Sequence, residues 1–219
     1  MNWHALPPAE QYLVRRKLEK HIRSKIPDFE IKDKKKSPLM EALGRLLFFN
    51  KRFLDNYVTT IYPKVYVPEV PYKPYNHLHA IGVLAHEYVH LSDRKKLGWL
   101  FNFIYLSPQI LAVIGLLGPF ISPWCFLFLL FILPIPSPGR TWAEVRGYRM
   151  SMAIQYWLNP EIKIELLIDR YVYQFTSSSY YWMMPFKDLV RKIFIKELDK
   201  IRTNELSSEL EEIKLLLGV

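Results

Sequence analysis

The sequence predicts a single, mainly helical domain (residues 1–219) with a minimal β-sheet at one edge. Much of the chain falls into helix-length stretches that repeat apolar residues and begin near Pro, Ser or Thr. Only residues 57–67 alternate in the way a strand does, and residues 97–139 carry no Asp, Glu, Lys or Arg. No linker of flexible composition divides the chain, and aromatic residues, 15% of the total, supply ample core material.

The domain divides into four consecutive segments. Residues 1–56 form basic N-terminal helices, and residues 57–96 a strand region with the helix that follows it. Residues 97–139 form an apolar insert, and residues 140–219 form C-terminal helices. Pro63 favours an edge position for the strand region, because proline lacks the donor that a central strand needs. The predicted helices span 8–25, 37–53, 77–93, 141–158, 161–173, 186–202 and 205–217, with a polar connector at 28–36 and a Ser- and Tyr-rich loop at 175–185.

Residues 86–90 read H-E-x-x-H inside the helix that Asn76 is predicted to cap. Residues four apart share a helix face, so His86 and His90 can bind one metal ion from successive turns. Glu87 can then take a proton from a water bound to the metal. The helix is apolar on most sides, which predicts burial, so both histidines need partners. The alternative to a metal is a pair of core histidines hydrogen-bonded to their neighbours.

A catalytic zinc usually has three protein ligands, so a third ligand is needed. The only cysteine, Cys125, lies within the apolar insert, and no histidine follows His90. Asp93 is too close along the same helix, and the next acidic residue is Glu144, in the first turn of a helix that Thr141 can cap. Two interpretations remain: Glu144 completes a His/His/Glu site, or it only interacts favourably with the helix dipole.

Several further residues are candidates for a supporting role. Attack of water on a peptide builds negative charge on the carbonyl oxygen, which needs a hydrogen-bond donor besides the metal. A second group of residues can orient the metal ligands. Packing, capping or an exposed helix-end charge is the alternative for each. The candidates are Tyr180 and Tyr181 as catalytic donors, and Tyr148, His79 and Asp93 as residues beside the ligands.

The order of these motifs resembles the gluzincin class of zinc metallopeptidases, in which a later helix bears a glutamate in A-E-x-x-x-Y. The segments TTIYPKVYVP, HEYVHLSD, PSPGRTWAEVRGYRMSM and FTSSSYYWMMPF also resemble small metallopeptidases encoded by tailed bacteriophages, over residues 57–186. The resemblance implies a zincin-like active-site helix with Zn²⁺ as the cofactor. By the same resemblance, His86, His90 and Glu144 are the metal ligands and Glu87 is the general base.

The resemblance also implies an edge strand beside the active-site helix. Such a strand can pair with an extended substrate backbone, as sheet edges do. The segment that matches it contains Val65, Tyr66 and Val67, which are therefore the predicted substrate-binding residues. Recognition through the backbone would leave selectivity for particular side chains weak.

The uncharged insert is predicted to be an apolar helical hairpin. Its first part, about residues 99–117, is long enough to span a bilayer but contains polar residues and prolines, and its second part is too short. If His90 and Glu144 bind one metal, both ends of the insert lie on the same side of any membrane, which excludes a single crossing. Three interpretations remain: a hairpin that spans or re-enters the bilayer, insertion into one leaflet, or a soluble core hairpin.

The formal net charge is +9, and much of it falls within the first 36 residues. A basic amphipathic helix there favours attraction to a membrane surface, with a solvated helix face as the alternative. Nucleic-acid binding is disfavoured, because no nucleic-acid fold signature accompanies the charge. Basic residues flank both ends of the insert, as expected if both face the cytoplasm.

Because Met1–Pro8 lacks a signal-peptide pattern, we expect location on the cytoplasmic side of a host cell or in a virion.

The sequence therefore leads to a zinc-dependent peptidase, associated with a membrane and acting on a peptide or protein. The alternative is a catalytically silent structural or virion-associated protein that keeps a metallopeptidase fold and contacts phage assembly proteins. A third hypothesis is a membrane-remodelling protein that acts through its hairpin. Loss of cleavage on removal of Glu87 separates the first hypothesis from the other two.

Overall fold

The computed structural model of this chain describes residues 6–46, 53–68, 77–120, 122–159 and 161–219. It is mainly helical with one small sheet, which confirms the predicted fold class. The predicted cap Asn76 and residues 47–52 of the predicted second helix lie outside the described residues. The elements are α1 (Pro8–Lys25), β1 (Glu30–Asp33), α2 (Pro38–Leu46), α3 (Phe53–Asn56), β2 (Thr59–Ile61), β3 (Lys64–Val67), α4 (His77–Leu97), α5 (Trp99–Leu106), α6 (Ala112–Leu117), α7 (Pro138–Leu158), α8 (Ile164–Thr176), α9 (Lys187–Arg202) and α10 (Ser208–Leu217).

The sheet has three strands in the order β1–β3–β2, with β1 parallel and β2 antiparallel to β3. Val65, Tyr66 and Val67 therefore lie in the central strand, where all three are buried. Val65 and Tyr66 pair with both neighbouring strands, and Val67 pairs with Asp33 of β1. The prediction that they form an open edge for a substrate is wrong. Strand β1 arises inside the predicted polar connector, where a four-residue strand among charged residues is too short to show a period.

Helices α4 and α7 pack against each other at the centre of the molecule. Helix α1 covers another side of α4, and α8, α9 and α10 pack against α7. Every residue from Leu84 to Asp93 is buried, as the apolar composition of this helix predicted. Each fully buried Leu, Ile or Val contributes about 1.5–3 kcal/mol relative to exposure, so the apolar residues that this helix pair buries stabilise the core.

The apolar insert folds as a bent hairpin. Helix α5 and the segment Gln109–Leu117 meet at 93°, and α6 packs against a 3₁₀ helix, Pro123–Ile132. Gly115 permits this contact, because a Cβ there would lie 2.7 Å from the backbone nitrogen of Leu129. The predicted hairpin is present, but its second arm is a 3₁₀ helix.

Within the described residues, no individual helix has both the length and the apolar character needed to cross a bilayer. Trp99–Leu106 and Gln109–Leu117 satisfy those criteria only when taken together as one bent pair. Many large apolar side chains of the insert face outward, among them Trp99, Phe120 and Trp124. The insert thus differs from the buried helix pair, although both are rich in apolar residues.

Helix α7 begins at Pro138, three residues before the predicted cap Thr141. Proline is favoured in the first turn, since its missing N–H would have no partner there and its φ suits a helix. The Thr141 hydroxyl instead donates to the Ser137 carbonyl at 2.8 Å, within the first turn. This earlier start changes the cap but keeps Glu144 on the α7 face that meets α4.

Candidate metal centre

Helix α4 brings two imidazoles together at the centre of the molecule. The Nε2 atoms of His86 and His90 are 3.1 Å apart, and the two rings meet edge to face at 4.8 Å between centroids. Both residues are nearly closed to solvent, at 8% and 7% exposed. Two buried nitrogens on successive turns therefore point into one space, as the H-E-x-x-H spacing predicted.

Helix α7 approaches this pair closely because residue 147 is a glycine. A Cβ at Gly147 would lie 2.6 Å from Nε2 of His86, closer than real Cβ atoms come to any neighbour. No larger residue fits there without movement of the imidazole or the helix. Gly147 follows Glu144 by three residues, so the same short stretch supplies both the close approach and the carboxylate.

Glu144 faces the histidine pair from α7. Its Oε2 lies 3.5 Å from Nε2 of His86, and its Oε1 lies 4.0 Å from Nε2 of His90. Ligands about 2.0–2.1 Å from one tetrahedral zinc are about 3.3 Å apart, so these separations suit a shared ion. Glu144 Oε2 is buried and has no hydrogen-bond partner among the described residues. His86, His90 and Glu144 thus form a buried group that could hold a metal ion.

The charges of the group support this arrangement. Burial by itself raises the pKa of Glu144, but the proximity of His86 and His90 outweighs it and lowers that pKa to about 2. Burial lowers the pKa of His90 to about 4, against the opposing charge of Glu144. At neutral pH Glu144 is therefore an ionised carboxylate and His90 a neutral imidazole, the forms that bind metals. Burial by itself lowers the pKa of His86, but the proximity of Glu144 and Glu87 outweighs it and raises that pKa.

Glu87 is fixed by the edge strand beside α4. The Thr60 hydroxyl, on β2, donates to Oε2 of Glu87 at 2.6 Å. Burial raises the pKa of Glu87, while the charge of His86 and the Thr60 hydrogen bond oppose the rise. The strand that contacts Glu87 is thus β2, and not the segment of Val65, Tyr66 and Val67 in β3.

A buried lysine supports the start of β2. The ammonium of Lys34 donates to the carbonyl of Tyr57 at 2.8 Å and to the hydroxyl of Thr59 at 2.7 Å. It also lies 3.6 Å from the ring centroid of Phe53. Burial lowers the pKa of Lys34 to about 8, and the charge of Glu87 opposes the decrease. Lys34 stands within a run of three lysines, so the sequence suggested only a solvated connector.

Tyr105 also belongs to the candidate metal centre, although its place in the sequence does not indicate this. It belongs to α5, in the apolar insert, and its hydroxyl donates to Oε1 of Glu144. Its ring and that of Phe101 both lie close to His90, at 6.0 and 6.2 Å between centroids. The insert therefore forms one wall of the site. A tyrosine inside an uncharged run, far from the ligands in sequence, gave no signal of this contact.

Arg140 closes the same wall. Its guanidinium carbon lies 5.5 Å from the ring centroids of both Tyr105 and Tyr180. Its charge is one of the groups that lower the pKa of Glu144. In the sequence, Arg140 stands out only as a basic residue that flanks the insert.

Of the predicted supporting residues, Tyr148 and Tyr180 lie at the site. The Tyr148 ring meets that of His86 edge to face at 4.9 Å, and its hydroxyl donates to the Tyr180 hydroxyl at 2.9 Å. Tyr181 turns away, since its hydroxyl donates to the carbonyl of Ile132 in the insert. Tyr181 and Trp182 both have positive φ, at 57° and 48°, and this turn separates the two tyrosines.

The predictions for Asp93 and His79 are not supported by their positions. Asp93 is buried and accepts two hydrogen bonds from the guanidinium of Arg146, at 2.9 and 2.8 Å, rather than binding an imidazole or facing solvent. Nδ1 of His90 is buried without a hydrogen-bond partner among the described residues. His79 is exposed, whereas the histidine pair is enclosed.

Comparison with protein-family models, curated proteins and solved structures gives no match to this chain. Its function has therefore to be inferred from the residues and geometry of the site.

Proposed function

We propose that this chain is a zinc-dependent peptide hydrolase. The convergence of His86, His90 and Glu144 in one buried space is the observation that supports it most. Two imidazoles and one carboxylate are a ligand set typical of catalytic zinc, which keeps a fourth position open. Bound there, zinc would act as a Lewis acid and lower the pKa of a coordinated water.

Glu87 is the general base of this proposal. Its Oε2 accepts the Thr60 hydrogen bond, which fixes the carboxylate and leaves Oε1 for proton transfer. Oε1 takes the proton of the attacking water and later gives it to the departing amine. A buried carboxylate with a raised pKa suits a base that must also act as an acid.

Tyr180 is the proposed donor to the carbonyl oxygen that becomes negative. It accepts a hydrogen bond from Tyr148, so its own O–H is directed elsewhere. Burial and then the charge of Glu144 raise its pKa well above the ordinary value, so it keeps its proton. Tyr181, which binds the insert, has no part in this step.

The edge strand β2 is the proposed binding element for substrate. In the described sheet β2 pairs on one side only, with β3. An extended peptide that adds to the other side would run past Thr60, the residue that holds Glu87. Thr59, Thr60 and Ile61 therefore replace Val65, Tyr66 and Val67 as the proposed backbone-binding residues.

A second candidate is a metal-binding structural protein without activity, and the closure of the site favours it. Glu144 is only 3% exposed, and Tyr105 of the insert occupies its Oε1. A polypeptide reaches the ligands only if this wall moves. The two candidates agree on the metal and differ on catalysis.

Metal content and peptide cleavage, measured on the same samples, separate the two candidates. We expect about one zinc per chain by mass spectrometry, and cleavage of a peptide library or of casein that chelation abolishes. Glu87→Gln should retain the zinc and lose cleavage by about 10²–10⁴-fold, the usual contribution of general acid–base catalysis. His90→Ala should lose both.

The matched control is Glu165→Gln, which makes the same change at an exposed position of α8. It should leave zinc content and cleavage unchanged. Zinc retained with no cleavage by the wild type, even on a broad library, would favour the structural candidate. Absence of bound metal from the wild type would end both.

A further inference from the structure

The surface of the apolar insert has no partner within the described part of the molecule. Phe120 is 91% exposed, and Leu116, Leu117 and Trp124 also face outward. Contiguous apolar patches larger than a few hundred Å² are rare on soluble monomers and mark sites for a membrane or another protein. The outward side chains of this hairpin belong to one uncharged run, residues 97–139.

We propose that this hairpin inserts into one leaflet of an anionic phospholipid bilayer and anchors the protein to the membrane surface. The occupant is lipid, and the attachment does not depend on a bound metal or on hydrolysis. It therefore stands apart from the proposed function.

The charge around the base of the hairpin is complementary to an anionic surface. The last turn of α4, which leads into the hairpin, contains Arg94, Lys95 and Lys96. The acidic residues nearby, Asp93 and Glu209, are buried in ion pairs with Arg146 and Lys96, so Arg94 and Lys95 carry the positive charge that no carboxylate of the described residues here compensates. Each basic residue near an anionic membrane contributes about 1 kcal/mol of attraction. A second copy of this chain would meet the same positive charge and be repelled.

An aromatic residue lies at the point where the charged base meets the apolar hairpin. Trp99 is exposed, and the guanidinium of Arg94 lies 4.9 Å from its ring centroid. Tryptophan and arginine side chains are favoured at the boundary between headgroups and acyl chains. This pair therefore marks the depth to which the hairpin enters.

The dimensions favour one leaflet over a crossing. Gln109–Leu117 rises about 13 Å at 1.5 Å per residue, and the 3₁₀ helix Pro123–Ile132 about 20 Å at 2.0 Å per residue. The hydrocarbon core is about 30 Å thick. Both ends of the hairpin stay together, since Gln109 donates to the Ile135 carbonyl at 3.1 Å. The hairpin thus enters and leaves on one side.

Flotation of the whole chain with lipid vesicles tests the proposal. We expect binding to vesicles of phosphatidylcholine with phosphatidylglycerol, weaker binding to phosphatidylcholine alone, and no loss of binding after chelation. Leu116→Glu combined with Leu117→Glu should weaken binding at least tenfold. Leu166→Glu is the matched control, because Leu166 on α8 is 62% exposed and Leu116 is 64% exposed. It should bind as the wild type does.

Failure of the wild type to float with anionic vesicles would overturn the proposal. An equal loss of vesicle binding in the Leu166→Glu control would also overturn it. So would a protein that does not bind vesicles but forms a stable dimer in solution, if the Leu116 and Leu117 substitutions break that dimer. That last result would make the hairpin an interface between copies.

A labelling experiment tests how far the hairpin enters the bilayer. In a variant with Phe120→Cys and Cys125→Ser, the only thiol lies at the hairpin tip. A membrane-impermeant maleimide trapped inside the vesicles should not label it, although the same reagent labels it in buffer without lipid. Labelling from inside the vesicle would show a crossing and contradict insertion into one leaflet.

Discussion

Helix α4 and the apolar insert are both dominated by apolar residues, yet they lie in opposite environments. From Leu84 to Asp93 helix α4 is buried, and the polar groups within it include the candidate ligands His86 and His90 and the proposed base Glu87. The insert has no charged residue, and many of its large apolar side chains face outward, although Phe101 is buried beside His90. Helix α4 has α1, α5, α7 and β2 as neighbours, whereas the insert beyond α5 packs mainly on itself. Hydropathy alone therefore does not tell where a segment lies; its packing partners do.

The two regions use glycine in the same way, which allows a direct test. In each, a glycine lets two elements approach so closely that a Cβ would meet a neighbour below 3 Å. We expect Gly147→Ala to abolish detectable zinc binding, at least a hundredfold loss, because the methyl group displaces His86. It should also lower the free energy of unfolding by about 2 kcal/mol, as overpacking of a core does. Zinc titration and urea denaturation measure the two effects.

Gly115→Ala is the counterpart in the insert. The new methyl group would meet the backbone of Leu129, but no metal ligand lies there. Zinc binding should therefore stay within about twofold of the wild type, a margin of about 0.4 kcal/mol. Equal losses of zinc in both variants would mean that the insert and the metal centre are not separable, which contradicts the comparison.

These contacts also show what the sequence could and could not predict. The H-E-x-x-H spacing fixed a helix face, so the positions of His86 and His90 were predictable from helical geometry alone. Glu144 was predictable because residues 97–139 contain no acidic residue to compete with it. Both predictions needed only local periodicity or the elimination of other residue types.

The features that the sequence did not predict are contacts between residues distant in sequence. Strand β1 exists because it pairs with β3, which a segment of charged residues does not reveal. Lys34 is buried because β2 and α3 fold over it, although it stands among lysines that are exposed. Tyr105 reaches Glu144 because α5 folds back on α7. In each case tertiary packing decides the role, and no local pattern carries that information.

The insert and the strand β2 beside α4 each contribute one hydroxyl to the candidate metal centre, and removing these hydroxyls should have different effects. Tyr105→Phe removes the hydrogen bond that the insert gives to Glu144, so we expect zinc affinity to fall about tenfold, as is usual for groups that orient a ligand. The rate of the zinc-saturated protein should change little. Thr60→Val removes the hydrogen bond to Glu87, so zinc affinity should stay unchanged while kcat falls about tenfold. Zinc titration and cleavage at saturating zinc separate the two.

Tyr181→Phe is the control for this pair, because its hydroxyl also binds across to the insert but away from the ligands. It should match the wild type in both measurements. The same loss of zinc affinity in Thr60→Val and Tyr105→Phe would contradict separate roles for the base and the ligand.

Lowering the pH should weaken the packing between the buried helices but not the packing of the insert. The insert, residues 97–139, has no group that titrates between pH 3 and 7. Ion pairs with Lys96 and Arg146 join Glu209 of α10 to α4 and α7. Burial by itself raises the pKa of Glu209, but these contacts outweigh it and lower the pKa to about 2, from an ordinary value of 4.5. Between pH 2 and 4.5, Glu209 binds more protons in the unfolded chain than in the folded protein. Its contribution to the free energy of unfolding is therefore complete above pH 4.5 and is lost as the pH falls towards 2. After allowance for solvent screening we expect about 1 kcal/mol.

Urea denaturation at pH 6 and at pH 3 measures this contribution. Glu209→Gln should show a pH dependence smaller by about 1 kcal/mol than that of the wild type. Glu211→Gln, which changes an exposed residue of the same helix, should show the full dependence. If Glu209→Gln keeps the full dependence, the acid sensitivity lies in other carboxylates, and the ion pairs of Glu209 do not stabilise the buried helices in the way the structure indicates.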